Sequence, residues 1–392
     1  MENPKIRFKG YTKDWEQRKL GDVFKEYSEK NHTELSALTI IQGGGTVKRE
    51  DSDRNLMYDT SNLSNYKMVR KDDFIVHLRS FEGGLEKSSL DGIISPAYHT
   101  FHSDMADSRF YYPYFRSYEF IKHKLVSHVY GIRDGRSIDI DGMKTIEIPY
   151  TSIEEQRKIG DYLDCLDHLI TLHQRKCEQT KKLKKYMLQK MFPQNGAKVP
   201  EIRFDGFTYD WEQRKLGDMG STFTGLSGKT KEDFGHGDAQ FITYMNVFSN
   251  PVANLEMTEA VEIDAKQNRV KKGDVFFTTS SETPEEVGMS CVMPENKDNI
   301  YLNSFCFGYR PTEKFDLDYL AYVLRADSFR KEMKFLAQGI SRYNISKNKV
   351  MEVSIPIPNL EEQTMVGRYF STLDHLITLH QRQHKLHLNM LL

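Results

Sequence analysis

The chain has 392 residues, with 55 Lys or Arg against 56 Asp or Glu, and its mean hydropathy is −0.62. This length predicts two or three domains, each large enough to bury a core. The balanced charge excludes a globally basic protein, although a local basic patch would still attract nucleic acid. Neither an apolar run long enough to span a membrane nor a signal-peptide core is present, so we expect a cytoplasmic protein.

The reactive side chains do not form a recognisable catalytic or metal motif. The cysteines lack C-x-x-C or framework spacing, which predicts free thiols and no structural zinc. Gly228-Lys229-Thr230 is similar to the end of a phosphate-binding loop, but Phe223 stands where that motif needs glycine. Carboxylates are plentiful but none stands out at catalytic spacing, so we expect no catalytic residue. The cysteines are Cys165, Cys177, Cys291 and Cys306.

The chain contains two repeated blocks. Residues 4–24 return as residues 200–220 with 15 of 21 positions identical, and the run WEQRKLGD is unchanged. Residues 153–175 return as residues 360–382 with 15 of 23 positions identical, and the run DHLITLHQR is unchanged. The stretches between the blocks align poorly. The sequence therefore duplicates a frame and not its contents, which is the pattern of an internal structural repeat.

These boundaries predict four segments. Each second block is predicted to be a helix that follows a globular domain of about 150 residues. The segments are a first domain over 1–152, a spacer helix and linker over 153–199, a second domain over 200–359 and a second spacer helix over 360–392.

The second block has the pattern of a long helix with a coiled-coil seam. Ser152 with Glu155, and Asn359 with Glu362, have the spacing of a capping box at a helix start. Apolar or neutral residues then step by four and three, as in a seam between paired helices. The predicted seam comprises Ile159, Leu163, Leu166, Ile170 and His173 in the first copy and Val366, Phe370, Leu373, Ile377 and His380 in the second.

The first helix is predicted to run from Ile153 to about Phe192, or about 60 Å at 1.5 Å per residue. We expect the two long helices of one chain to pack on each other. After the shared His-Gln-Arg the first copy continues for 17 residues to Phe192, and the second for 10 residues to Leu392. We therefore expect a shortened second helix and a shorter pairing near the first domain.

The stretches between the blocks are predicted to be α/β, in the sense of mixed α+β. Apolar or alternating runs predict short strands, and the run 316–336 predicts a helix. The predicted strands lie at 73–78, 92–94, 146–148, 275–278 and 353–357.

A family resemblance follows from the order of these parts. A WEQRKLGD-type block, a variable domain and an IPIP-x-LEEQ start to a long helix (Ile355 to Gln363, with Ile146 to Gln156 as a looser copy) occur twice. The whole chain thus resembles the DNA-specificity subunits of type I restriction–modification enzymes. The resemblance implies two target-recognition domains that each read one half of a bipartite double-stranded DNA sequence. It also implies that the two long helices pack as an antiparallel coiled coil, with a pseudo-twofold repeat.

The resemblance implies partners as well. Two methyltransferase subunits, which carry S-adenosylmethionine and methylate adenine, would dock on the helices. In the full complex two restriction and translocase subunits, which use ATP and Mg²⁺, would join them. The chain itself would then hold no cofactor, no metal and no catalytic residue.

The DNA contacts are predicted from side-chain chemistry, because Arg reads guanine with two hydrogen bonds and Asn or Gln reads adenine. The runs GIRDGR (131–136) and GISRYN (339–344) occupy the same place in the two copies, just before the strand that leads into the helix. The predicted contacts are Lys48, Arg49, Arg79, Arg133 and Arg136 in the first domain and Lys229, Lys231, Arg342, Tyr343 and Asn344 in the second.

Two other interpretations stay open. A coiled-coil scaffold with two protein-binding modules predicts no affinity for DNA even with methyltransferase subunits present. A specificity subunit of a related system, with methylation and cleavage fused in the partner, would have nearly the same sequence pattern. The target bases and the spacer length do not follow from one sequence.

Overall fold

The computed structural model describes residues 4–52, 60–131, 136–194 and 196–391. The chain divides into two compact units, Met1–Thr171 with Leu386–Leu392, and Leu172–Lys385. Each unit holds one copy of the N-terminal block and part of both long helices. Both boundaries therefore fall inside a helix, whereas the four segments predicted from the sequence keep each long helix in one segment. That four-segment division stays a prediction.

The first unit is mixed α/β, and its elements are mostly short. In chain order they are β1 Glu16–Lys19, α1 Leu20–Val23, β2 Lys25–Tyr27, β3 Leu38–Ile41, β4 Gly45–Lys48, β5 Lys67–Val69, β6 Phe74–Val76, α2 Ser80–Gly83, β7 Glu86–Lys87, β8 Gly92–Ile94, β9 His99–His102, α3 Ser108–Phe115, β10 Val129–Tyr130, β11 Ser137–Ile138, α4 Ile140–Lys144, β12 Glu147–Tyr150 and the long helix α5 Ile153–Lys190.

The second unit is also mixed α/β, and it includes the later part of α5. Its elements are β13 Glu212–Lys215, β14 Gly220–Thr224, β15 Phe234–Ile242, α6 Tyr244–Ser249, β16 Thr258–Val261, β17 Val275–Thr278, β18 Ser280–Ser281, β19 Ser290–Val292, β20 Ile300–Leu302, β21 Cys306–Pro311, α7 Leu317–Val323, α8 Asp327–Leu336, β22 Tyr343–Asn344, α9 Lys347–Met351, β23 Ser354–Ile357 and the long helix α10 Leu360–Leu391.

Each variable stretch contains a four-stranded sheet, and the two sheets have the same strand order although their sequences align poorly. The strand order is β2-β9-β6-β7 in the first unit and β14-β21-β17-β19 in the second, with all neighbours antiparallel. The inner strands β6 and β17 each follow a turn with positive φ, at Asp72 (71°) and Gly273 (85°). The expectation that only the frame is duplicated is therefore wrong for topology. Main-chain hydrogen bonds preserve the strand order while the side chains diverge.

The helix expected over 316–336 is in fact two helices, α7 and α8. Ala326 between them is extended, with φ −65° and ψ 153°. This break turns the Arg325 guanidinium inward, where it donates to the carbonyls of Ser290 at 2.8 Å and Asn250 at 2.8 Å. Burial lowers the pKa of Arg325 to about 10. The break at Ala326 thus accompanies carbonyl partners for a shielded cation, and these partners lie too far along the chain for a helical pattern to record.

In each unit the first repeated block pairs with the strand that precedes the second repeated block. β1 lies antiparallel to β12 with Glu16 opposite Tyr150, and β13 lies antiparallel to β23 with Glu212 opposite Ile357. These partners are counterparts in the repeat, so the register is the same in both copies. The conserved frame is therefore one contiguous structure in each unit.

The first turn of the second long helix contains Glu362, whose side chain is fully buried. Its backbone N–H donates to Oδ1 of Asn359 at 2.9 Å, one half of the predicted capping box. The carboxylate does not turn back to complete the box but accepts two hydrogen bonds from Arg203, at 2.7 and 2.9 Å. Tyr209 and Trp211 donate two more at 3.0 and 3.1 Å. The start of the helix is thereby attached to the N-terminal block of its own unit.

The first long helix begins in the same way. Glu155 is 1% exposed and accepts from Arg7 at 2.6 and 2.8 Å and from Trp15 at 3.2 Å. Burial raises the pKa of Glu155, but hydrogen bonds from Arg7 and Thr151 outweigh it and hold the pKa below its usual range. The carboxylate is therefore ionised and pairs with the half-buried guanidinium of Arg7.

A repeated glycine in each long helix marks a close approach by a short helix. A Cβ on Gly367 would lie 2.6 Å from Oδ1 of Asp316 and 2.6 Å from the backbone nitrogen of Tyr319. A Cβ on Gly160 would lie 3.0 Å from Cβ of Arg109. A larger residue at either position would push α3 or α7 away from the helix.

Within the second unit the two long helices run antiparallel. His173 Nδ1 lies 3.2 Å from His380 Nδ1, and Lys184 Nζ lies 2.6 Å from Asp374 Oδ1. Residue numbers therefore rise along α5 as they fall along α10. His173 and His380 are the same position of the repeat, and such a self-pairing is what a twofold relation between two helices requires.

The predicted seam residues lie on shielded faces, and the first helix ends two residues earlier than predicted. Met191 and Phe192 leave the helix and enter the core of the second unit, where Phe192 stacks on Phe370 with ring centroids 5.6 Å apart. Apart from the histidine pair, the pairing of seam residues of one long helix with those of the other stays a prediction. Leu166, Val366, Phe370 and Leu373 are buried, and Ile159, Leu163, Ile170, His173, Ile377 and His380 are half-buried.

Over the described residues, no helix combines the length and the apolar character that a membrane crossing needs.

We expect Glu362→Gln to lower the free energy of unfolding of the second unit by about 3 kcal/mol or more, because Arg203 would keep its charge in a shielded site without a carboxylate partner. Urea unfolding followed by tryptophan fluorescence measures this, since Trp211 contacts the same carboxylate. Glu361→Gln, at the exposed neighbouring position, is the matched control and should change stability by less than about 0.5 kcal/mol. Similar losses in the two variants would contradict the role given to Glu362.

We expect Lys184→Met to destabilise the antiparallel pairing by about 1–3 kcal/mol, because the Asp374 carboxylate would lose its cation in a half-buried site. Tyr322 also donates to Asp374, at 2.8 Å, and would then be its remaining partner. Thermal unfolding followed by circular dichroism measures the change. Lys185→Met, at the exposed next position, serves as the control, and an equal effect there would show that the ion pair contributes nothing.

Candidate nucleic-acid interface

A cleft of about 620 Å³ lies at the end of β6 in the first unit. The β3–β4 hairpin forms one wall, and the residues after β6 form another. Its polar side chains include Gln42, His77, Arg79 and Tyr98. Burial lowers the pKa of His77, whose Nδ1 accepts the backbone N–H of Arg79 at 3.3 Å. The cleft therefore combines an amide, a guanidinium and the carboxylate of Asp51, which are groups that form hydrogen bonds with base edges, with a neutral imidazole and a phenol.

A second cleft, of about 730 Å³, lies at the end of β17 in the second unit. β17 is the counterpart of β6, so the two clefts occupy the same place in the repeated topology. The second cleft has a different lining, because two carboxylates, Glu282 and Glu286, line it together with Arg342, whereas the first has Asp51 beside Arg79. Its remaining lining includes Tyr244, Ser280, Ser281, Thr283 and Ser341.

The candidate residues of the first domain have different surroundings. Arg79 is exposed at its cleft. Lys48, at the end of β4, is half-buried with its Nζ 3.8 Å from Glu50. Arg49 donates to the carbonyl of Leu38 at 3.3 Å, which ties it to the β3–β4 hairpin.

The other two candidates of the first domain belong to the run 131–136. The Arg136 guanidinium lies over the ring of Phe81, 4.7 Å from its centroid, which places it beside α2. Arg133 lies outside the described residues.

The second-domain candidates fall into two groups. Arg342 is exposed at the cleft, and Asn344 is exposed on β22. Tyr343 is half-buried and packs against the core of the unit. Lys229 and Lys231 lie elsewhere, on the turn before β15, and the structure does not bring them to the cleft lining. Lys231 is exposed, whereas Lys229 Nζ lies 3.1 Å from Asp264 and 3.8 Å from Asp233.

Sequence reasoning missed several cleft residues, among them Gln42, His77 and Tyr98. A weak pattern preceded both clefts: V-R-K-D-D before β6 and V-K-K-G-D before β17. Aligning these runs would have marked the residues that follow each inner strand as equivalent. Glu282 and Glu286 of the second cleft had no such marker, because the search for DNA contacts in the sequence favoured cationic side chains.

The long helices expose apolar side chains in the second unit. Leu183 and Tyr186 on α5 are 44% and 49% exposed, and Leu376 and Leu379 on α10 are 36% and 41% exposed. Helix residues that face away from the core are usually polar. These positions are therefore candidates for contact with a protein partner.

Comparisons with known proteins agree with this organisation. A family model, the type I restriction modification DNA specificity domain, matches residues 12–182 and 209–389. The type I restriction enzyme MjaVIII specificity subunit of Methanocaldococcus jannaschii is 25% identical over 260 residues, 63% of this chain and 59% of that protein. The putative MjaX specificity subunit of the same organism is 26% identical over 269 residues, 63% of this chain and 57% of that protein. The chain thus spans less than two thirds of these relatives.

Two solved structures share the fold. The HsdS subunit from Thermoanaerobacter tengcongensis has a TM-score of 0.51 and 19% identity, with 96% of this chain and 95% of that chain covered. The type I restriction–modification S subunit from M. genitalium has a TM-score of 0.57 and 15% identity, with 100% and 97% covered. The predicted α/β class with an internal repeat is confirmed. Since the two family matches cover most of its length, the chain belongs to the type I restriction–modification DNA specificity family.

Proposed function

We propose that this chain recognises a bipartite double-stranded DNA sequence on behalf of a type I restriction–modification complex. The observation that carries the proposal is the pair of clefts, one at the end of β6 and one at the end of β17. They lie at the same topological place but have different linings. A duplicated framework with divergent reading surfaces suits two unlike half-sites in one target.

The two linings support different base preferences. Arg79 suits guanine and Gln42 suits adenine, because their paired donors and acceptors match those major-groove edges. Glu282 can accept from the amino group of cytosine, and Arg342 again suits guanine. The two halves of the target are therefore expected to differ in sequence.

The sequence-derived contacts take two roles in this proposal. Arg79, Arg136, Arg342 and Asn344 read bases, while Lys48 and Lys231 contact phosphates and position the protein without reading sequence. Arg49 and Lys229 already have partners inside the protein and support their loops. Tyr343 anchors its turn to the core, and Arg133 stays in the base-reading group on its sequence position alone.

The partners belong to the same proposal. Two methyltransferase subunits, which carry S-adenosylmethionine, dock on the long helices, and the exposed Leu376 and Leu379 supply apolar contact area. Two restriction and translocase subunits, which use ATP and Mg²⁺, join the full complex. This chain contributes recognition and leaves catalysis to those subunits, in keeping with relatives that are named specificity subunits.

The test is co-expression of the full chain with the methyltransferase encoded beside it, in a host without adenine methylation, followed by genome-wide mapping of methylated adenine. We expect one two-part motif with a fixed gap. A complex that forms but neither binds DNA nor methylates it would support the scaffold interpretation instead. A partner that both methylates and cleaves would identify the fused system.

We expect Arg342→Ala to make one base position degenerate in one half of the motif, and Arg79→Ala or Arg136→Ala to do so in the other half. Loss of one bidentate base contact costs about 1–3 kcal/mol of discrimination. The same methylation mapping measures it. Arg269→Ala, at an exposed position of the second unit, is the control and should leave the motif unchanged. Relaxation of both halves by any one of the test variants would refute its assignment.

A further inference from the structure

Ile340 lies in a tight turn of the second unit and is 96% exposed. Single exposed apolar residues are common on protein surfaces, so the exposure alone carries little weight. The turn that holds Ile340 is held by hydrogen bonds at its base and lies next to the second cleft. Both properties matter for what an exposed isoleucine contacts.

The base of the turn is held by main-chain hydrogen bonds. Gln338 donates to the carbonyl of Asn344 at 3.0 Å, and Asn344 donates back to Gln338 at 2.8 Å. Asn344 and Tyr343 also pair with Ser280 and Ser281 in the β18–β22 ladder. The side chain of Tyr343 packs against the core, so the turn has a fixed root.

Gly339 makes the turn tight. Its φ is 146°, and a Cβ there would lie 2.0 Å from the carbonyl oxygen of Arg342. The chain therefore closes on itself between these two residues. Ile340 and Ser341 project from this closure, and a rigid root lowers the entropy lost when such a turn binds a partner.

The neighbours of Ile340 face the second cleft. Ser341 and Arg342 line that cleft, next in the chain to an isoleucine that buries almost no surface. Folding therefore gains nothing from an apolar side chain at this position. The same Gly-Ile pair opens the corresponding run of the first domain, at residues 131–132. An apolar group beside a base-reading arginine suits the one apolar group on a major-groove edge, the C5-methyl of thymine.

We propose that Ile340 contacts the C5-methyl group of a thymine in the half-site that the second unit reads, and so determines specificity at that position. The inference rests on the proposed recognition of DNA. It adds a residue that contributes to specificity by shape and apolar contact, where the other candidates use hydrogen bonds or charge.

The test uses the assembled complex of the full chain with its methyltransferase partner. The complex binds a duplex that carries the motif identified by methylation mapping. The effect of Arg342→Ala identifies the half-site of the second unit. Each thymine of that half-site is replaced in turn by deoxyuridine, which lacks only the methyl group. We expect one replacement to weaken binding by the unaltered complex about fourfold, the value of one buried methyl group.

The variant Ile340→Ala should bind the thymine and deoxyuridine duplexes equally, while Ile340→Leu should keep part of the difference. Ile263→Ala, at an exposed isoleucine of the same unit, is the control and should keep all of it. The inference is overturned if no replacement weakens binding, if Ile340→Ala keeps the fourfold difference, or if the half-site contains no thymine. In those cases DNA recognition itself still stands. If the unaltered complex shows no sequence-specific binding, the proposed function and the inference both fail.

Discussion

The buried carboxylate at the start of each long helix is the interaction on which the rest of the structure depends. Glu155 and Glu362 each join three parts of a unit: the helix start, the residue just before the helix (Thr151 or Asn359) and the N-terminal block that supplies the arginine and tryptophan. A buried ion pair requires close geometry and further donors to offset desolvation. That requirement makes the three parts interdependent and accounts for their joint repetition in the sequence.

The duplicated framework leaves the linings of the two clefts free to differ. Main-chain ladders preserve the strand order of both sheets, and a ladder tolerates many side chains at its exposed ends. The clefts at the ends of β6 and β17 thus diverge, one with Gln42 and Arg79 and the other with Glu282 and Arg342. A change of loop side chains therefore alters the lining of a cleft without altering the strands or the long helices.

The antiparallel contacts between α5 and α10 follow the sequence repeat at one position and depart from it at another. His173 meets its own counterpart, His380, whereas the Lys184–Asp374 pair has no equivalent lysine in the second copy, since Leu391 occupies that position of the repeat. The counterpart of Asp374 is Asp167, and burial raises the pKa of its carboxyl. The symmetry is therefore close at the histidine pair and is lost in the residues beyond the shared His-Gln-Arg.

The sequence by itself determined the repeat, the long helices and the family, because these depend on local periodicity and on identity between copies. It placed the start of α10 at the right residue, since a cap at Asn359 acts over three positions. Only the tertiary structure decided the strand order common to the two sheets and the break at Ala326. It also decided the hydrogen bond of Arg49 to Leu38 and the ion pair of Lys229 with Asp264, because each of these features depends on residues outside the local pattern. The clefts also depend on the tertiary structure: Gln42 follows the strand β3 of one sheet and His77 follows β6 of another, and packing brings both into one cleft lining.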